Sequence, residues 1–203
     1  YDVNISEKQL LDEIEKINTN DNIDSCIIQL PLPEHLEQNT ILNKLDPKKD
    51  ADGFTFFNLG KLIKYNEDDF IIKPATVLGI EKLINYYNIE TKGKNIVIIG
   101  KSVIVGTPLG LVLSNETTYS STITLCDKNT ENLREICKNA DILICPDYIA
   151  PVFTLCKKIV VIHDNLFWKY PQNYPLIWRK YFIKLIKLGI SRNTQIVTTS
   201  RYS

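Results

Sequence analysis

Apolar residues recur at helical spacing at Leu10, Leu11, Ile14 and Ile17, and Ser6 stands before them with Gln9 three residues on. A capping-box start followed by one apolar face predicts an amphipathic helix over 7–18. Residues 25–30 (SCIIQL) read as a buried strand, stopped by Pro31 and Pro33, which cannot donate to a ladder. A short helix is expected near 37–45, and DPKKDADGF beyond it is a polar loop with a Gly hinge. Helical periodicity returns over 76–88 through Val77, Ile80, Leu83, Ile84 and Tyr87. From residue 95 the pattern becomes short apolar runs at 95–100 (NIVIIG), 121–126, 141–145 (DILIC) and 159–162 (IVVI). Helices are predicted between them at 106–115 and 130–139. Strands alternating with helices of about ten residues predict a parallel sheet with helices on both faces. A last periodic run, 176–188, places Lys180, Lys184 and Lys187 on one face, with Gly189 positioned to end the helix.

Composition narrows the class. Hydrophobic residues make up 44% and charged residues 24% of 203, which excludes disorder and fibrous repeats. No apolar run approaches the roughly 20 residues of a membrane span. Five Cys without a C-x-x-C pair suggest neither a disulfide framework nor a zinc site, so a reducing compartment is expected. With His35 and His163 the only histidines, no metal site is expected. The chain contains no Met and starts at Tyr1, which reads as a fragment, a processed form or a trimmed chain. No targeting peptide is visible. A cytoplasmic location is expected, with a mitochondrion or another organelle left open. The net charge of zero conceals a division: residues 168–203 hold seven Lys/Arg and no Asp or Glu, leaving 17 basic against 24 acidic residues before them.

Three constellations carry candidate chemistry. The first is the turn G-K-S-V-I-V-G-T-P at 100–108, where a helix start after a buried strand offers unpaired N–H groups to a pyrophosphate. Gly100 permits the tight turn and Gly106 a close backbone approach, but this is not a G-x-G-x-x-G match, and an ordinary strand–turn–helix is the competing reading. The second is Asp127-Lys128 after the next strand. An Asp there favours the ribose hydroxyls of NAD, whereas Lys128 or Lys101 suits the extra phosphate of NADP, so the choice stays open. The third is Gln29 in QLPLP together with Asp52 in D-A-D-G. Read alone, these residues are equally well a strand end and a turn residue.

Taken together, these segments resemble the bifunctional methylenetetrahydrofolate dehydrogenase/methenyltetrahydrofolate cyclohydrolase (FolD) family. The matching stretches are IIQLPLPEHLEQNTILNKLDPKKDADGF, NLGKL, KPATVLGIEKLINYYNIETKGKNIVIIGKSVIVGTPLG and NADILI, from about residue 5 to 145. The resemblance implies two α/β domains: a partial folate-binding catalytic domain at 1–88 and a Rossmann-type parallel-sheet domain at 89–167, followed by a divergent basic tail at 168–203. It implies NADP, with NAD as the other option, a tetrahydrofolate derivative as substrate, and a homodimer. It implies NAD(P)-dependent oxidation of 5,10-methylenetetrahydrofolate to 5,10-methenyltetrahydrofolate, then hydrolysis to 10-formyltetrahydrofolate. By motif match Gln29, Asp52 and Thr76 fall at the catalytic centre. Gly100, Lys101, Ser102, Ile104, Val105, Gly106 and Pro108 fall at the cofactor, with Asp127 and Lys128 at its ribose.

The departures are as specific as the matches. No residue matches the catalytic Lys of the family's Y-x-x-x-K motif, so the cyclohydrolase step of these 203 residues is expected to be crippled. Lys101 stands where Arg is usual, keeping the charge without the bidentate fork. Asp127 and Lys128 replace His-Ser, and Ala75 and Val77 replace the Cys and second Pro of P-C-T-P. Tyr148 in the turn after DILIC is placed to block a cofactor, and the family's Gly/Pro-rich segment is absent. Three other readings stand beside an active enzyme. One is a non-catalytic fragment retaining nucleotide binding or dimer contacts. Another is a Rossmann dehydrogenase of a different substrate class. The last is a tail that contacts membrane or nucleic acid, for which a solvated basic face is the simpler account; no nucleic-acid partner is expected.

Overall fold

A computed structural model describes residues 1–64, 70–152, 154, 156–162, 166–190 and 194–198. The chain divides into two compact units, Tyr1–Ala75 and Thr76–Ser203.

The first unit begins with α1 (Glu7–Asn18), opened by the expected capping box: the Gln9 N–H donates to Ser6 Oγ and the Ser6 N–H to Gln9 Oε1. α2 (Gln38–Lys44) is capped by the Glu37 carboxylate and packs on α1. Ile14, Leu36, Ile41 and Leu45 form the shared core, with Cys26, Ile28 and Leu32 against it. The strand expected at 25–30 is reduced to one parallel bridge, Cys26 to Asp50. The Cys26 N–H donates to Lys49 O, and Cys26 O accepts from the Ala51 N–H. Beyond the bridge no strand among the described residues pairs with 27–30, and the two prolines have no N–H to extend it. A short α3 (Phe56–Lys61) follows, capped by Thr55.

The division after Ala75 leaves all of α4 (Ala75–Tyr86) but its first residue in the second unit. The buried Tyr119 hydroxyl donates to Glu81 and Asn85 of α4 and ties the helix to this unit. Strands β1 (Asn95–Ile99), β2 (Thr122–Cys126), β3 (Ile142–Cys145), β4 (Lys157–Ile162) and β5 (Thr194–Thr198) form one sheet, wholly parallel, in the order β2-β1-β3-β4-β5. Side chains alternate across a sheet. Ile96, Ile98, Ile142, Ile144 and Ile159 share one face; α5 (Gly106–Ser114) lies there, with Gly110 against Ile123 and Leu125. Val97, Leu143, Cys145 and Val160 share the other, covered by Cys137 and its neighbours of α6 (Leu133–Lys138).

The compositional break at residue 168 is not a break in structure. α7 (Leu166–Lys169) and α8 (Leu176–Gly189) pack Phe167, Phe182 and Ile186 over Ile162, and β5 adds the fifth strand beside β4. Gly189 is the last residue of α8 rather than a cap beyond it; a Cβ there would stand 2.6 Å from Ala150 O, so close approach demands the glycine. Lys158, fully buried on β4, donates from Nζ to Gly189 O (2.8 Å) and Pro151 O (3.3 Å), anchoring the end of α8.

Candidate functional site

In a parallel sheet of this order the chain leaves β1 toward β2, then crosses back to β3. The crevice beyond the carboxyl ends of β1 and β3 is therefore the topological switch point, where such folds bind ligands. The sequence-predicted turn lies there. Gly100 has φ +137°, and its N–H donates to Cys126 O (2.7 Å), joining the ends of β1 and β2. A Cβ on Gly106 would stand 1.7 Å from Gly100 O, so the two glycines bring the start of α5 directly onto the end of β1.

The loop between them is internally braced. Ser102 Oγ accepts from the Val105 N–H (3.1 Å), Ser102 O from the Thr107 N–H (3.0 Å), and the Thr107 hydroxyl donates to Lys101 O (3.1 Å). Val105 supplies no side-chain cap to α5. Lys101, Ser102 and Ile104 are exposed, whereas Gly106 and Pro108 are buried in the first turn of α5.

Asp127 follows β2 and meets this turn. Its carboxylate accepts from the Asn129 N–H (3.0 Å) and the Thr130 hydroxyl (3.2 Å) and pairs with Lys101 Nζ at 3.5 Å. The Asn129 N–H, helped by Thr130 and Lys101, holds the Asp127 carboxyl below the ordinary aspartate value against a smaller effect of desolvation. Lys128 is exposed beside it. The two opposite charges that the sequence offered for cofactor choice are thus partners of one another. Tyr148 has φ +29°, and its ring turns into the aromatic cluster of Phe167 (5.8 Å) and Phe182 (5.5 Å).

The first unit holds two of the other predicted residues, Gln29 and Asp52. The bridge at Cys26 and Asp50 runs their two segments side by side. Asp50 is buried and saturated: it accepts from the Gly53 and Thr55 N–H groups (2.9 and 2.8 Å) and from Asn58 Nδ2 (2.9 Å). Gly53 has φ +70°, with Ile72 O only 2.8 Å from a notional Cβ. Asp52, on the same loop, accepts no hydrogen bond among the described residues. Burial, and secondarily the Asp50 charge, push its pKa above the usual aspartate value. Gln29 is exposed and donates from Nε2 to Leu30 O (3.1 Å), before a cis Leu30-Pro31 peptide. Thr76 is half-buried in the first turn of α4 and belongs to the second unit. The D-A-D-G motif contains Asp50, but its loop-closing role and its partner Asn58, eight residues on, are not legible from the motif alone. His35 Nε2 is 3.0 Å from Ile5 O, and His163 lies outside the described residues. No cluster of metal-ligating side chains occurs among the described residues.

Comparison with known proteins matches both units. Residues 1–52 fit the tetrahydrofolate dehydrogenase/cyclohydrolase catalytic domain, and residues 74–150 its NAD(P)-binding domain. The bifunctional protein FolD of Mycoplasma mycoides is 42% identical over 141 residues, 70% of this chain and 47% of that protein. The crystal structure of FolD from Campylobacter jejuni superposes with a TM-score of 0.73 at 28% identity, covering 97% of this chain and 66% of that one. The Trypanosoma brucei FolD, complexed with NADP cofactor and an inhibitor, gives 0.68 at 26% identity over 80% and 57%. The chain spans about half the length of the curated relatives it matches. With a glycine turn at the switch point, a D-x-D-G loop built around a saturated Asp50, and both domain models in register with the two units, the chain belongs to the tetrahydrofolate dehydrogenase/cyclohydrolase family.

Proposed function

We propose that this chain acts in one-carbon folate metabolism, oxidising 5,10-methylenetetrahydrofolate to 5,10-methenyltetrahydrofolate with NADP, or NAD, with the following hydrolysis to 10-formyltetrahydrofolate impaired in these 203 residues. The observation that carries the reading is the contact of Gly106 with Gly100 O, which opens α5 at the end of β1. The residues present fit a dinucleotide there. A Cβ on Gly100 would meet nothing within 4 Å, Val105 leaves the first-turn amides without a side-chain cap, and Lys101 adds a cation. Pro108 has no N–H and the Thr107 N–H is held by Ser102 O, so within this first turn it is the Gly106 N–H, with the α5 dipole, that suits a pyrophosphate oxygen. A dinucleotide held there would supply the hydride acceptor for oxidation of the bridging methylene to the methenyl cation.

Asp52 is suited to the pterin. Among the described residues nothing donates to its carboxylate, and two neighbouring ring N–H groups would satisfy it and offset its burial. Gln29 orients the substrate from the end of its segment, and Thr76 contributes from the start of α4. Water adds to the methenyl carbon, and the ring opens with loss of a proton to give the formyl product. No residue of the sequence matches the Lys of Y-x-x-x-K, so hydrolysis is assayed separately from oxidation. The five free cysteines fit a reducing compartment such as the cytoplasm, and a homodimer is part of the reading.

Formation of reduced nicotinamide from methylenetetrahydrofolate tests the proposal. Asp52→Asn is expected to lower kcat/KM by about 100-fold, mostly through the folate. Unchanged kinetics in that variant would remove Asp52 from the site.

A further inference from the structure

Of the two units' features, the outward face of α8 is the one the folate reaction does not use. Its inward side is fixed: Ile186 and Gly189 are buried, and Phe182 and Ile183 join the aromatic cluster. Stepped at about 100° per residue, Lys187, Lys180 and Lys184 fall within an outward arc of roughly 60°. Ile177, Leu188 and Tyr181 fill the adjoining arc of roughly 40°. All six side chains are exposed, the three apolar ones by 84%, 46% and 63%. The lysines continue into a groove of about 510 Å³ where Arg179 stands beside the half-exposed Trp168. No Asp or Glu occurs anywhere in 168–203 to neutralise them.

We propose that this face docks on a bilayer surface containing anionic lipid. A strip of lysines beside a strip of large aliphatic and aromatic side chains matches the two layers such a surface presents, phosphate headgroups and acyl chains. Trp168, exposed in the groove that the lysines line, adds an indole of the kind that favours a bilayer interface. The charge is complementary to anionic headgroups, and the apolar strip gives a bilayer something that phosphates alone would not use. A single-stranded nucleic acid would stack on exposed aromatic rings, whereas Ile177, the most exposed residue of the strip, and Leu188 are aliphatic. The helix lies flat on the surface: among the described residues no helix is long and apolar enough to cross a membrane.

Trp168 and Trp178 are the only tryptophans, and both belong to this region, so their emission reports the contact directly. The whole chain is titrated with vesicles of phosphatidylcholine alone and with vesicles in which roughly a third of the lipid is phosphatidylserine, at roughly 50 and 300 mM salt. The expected result is a blue shift and co-sedimentation with the phosphatidylserine vesicles at low salt, weakened at high salt. Lys180→Gln with Lys184→Gln should weaken binding roughly thirty-fold. Ile177→Asp should weaken it at least about ten-fold, and the charge-matched pair Lys8→Gln with Lys82→Gln should bind like wild type. Circular dichroism checks that each variant folds. Equal binding to both vesicles, binding to neither, or an equal loss in the charge-matched pair overturns the proposal. Tighter binding to single-stranded RNA that the same lysines govern, or a dimer in solution that Ile177→Asp dissociates, assigns the face to another occupant and overturns it too.

Discussion

Asp50 and Asp52 stand two residues apart on one loop and serve opposite purposes. Asp50 is consumed by two N–H groups and an amide, which hold the loop closed and set Thr55 to cap α3. Asp52 is left partly desolvated, accepting no hydrogen bond among the described residues, with its pKa raised by burial and by Asp50. A carboxyl raised in the folded state favours folding only while protonated, and that contribution is lost as pH rises through the raised value. Asp52→Asn is therefore expected to gain stability over the wild type as pH climbs through this window, read as denaturant midpoints at a series of pH values. Folate affinity should move the other way, full above the window and lost as pH falls through it. Midpoints of wild type and Asp52→Asn that run parallel across the range would show that Asp52 is not held in this state. The sequence showed both carboxylates but not which one was spent, because D-A-D-G is symmetric until Asn58 folds back on Asp50. Lys101 and Asp127 were likewise visible as residues and invisible as a pair, since 26 positions separate them until β1 and β2 align.

Among the elements, those set by local pattern were legible and those set by a neighbour were not. α1 carries its own capping box and apolar face, and its bounds coincide with the expected 7–18. β1 and β3 are buried runs too apolar to be anything else in a parallel sheet. β5, by contrast, reads T-Q-I-V-T, with no run long enough to announce itself; it becomes a strand because the edge of β4 offers backbone partners. α3 depends on a cap that Asp50 positions, and the strand expected at 25–30 lacks a second partner. α8 is legible as a helix over 176–188, whereas its place in the second unit is not, because that is set by contacts with Ile162 and Phe167 rather than by its own pattern. Besides that packing, Lys158 holds α8 to the sheet, its ammonium meeting the Gly189 carbonyl at the negative end of the helix. Lys158→Met fills similar volume but leaves both carbonyls without their donor, at an expected cost of about 1–3 kcal/mol. Amide exchange should quicken across α8 and β5 and stay unchanged in α1 and α2. A uniform change across the chain, or none, would mean that α8 is held by its aromatic contacts alone.

At the scale of the whole chain, sequence and structure divide it at different places for physical reasons. The charge changes sign at residue 168, but the sheet continues through that point to β5, so the basic segment is a structural part of the second unit. Tyr148, expected to obstruct a cofactor, is instead drawn by Phe167 and Phe182 into the core that this segment builds. The turn at 100–108, at the switch point of the sheet, is assigned to hold a dinucleotide. Calorimetric titration of the chain with NADP⁺ and, separately, NAD⁺ tests it most directly, with Asp127→Ser and Gly106→Ala measured alongside. The prediction is saturable binding by the wild type. Asp127→Ser should shift the affinity ratio toward NADP⁺ by about ten-fold as a carboxylate beside Lys101 is removed. Binding should be lost in Gly106→Ala, whose Cβ collides with Gly100 O. No heat from either dinucleotide with the wild type, or equal binding by Gly106→Ala, would contradict it.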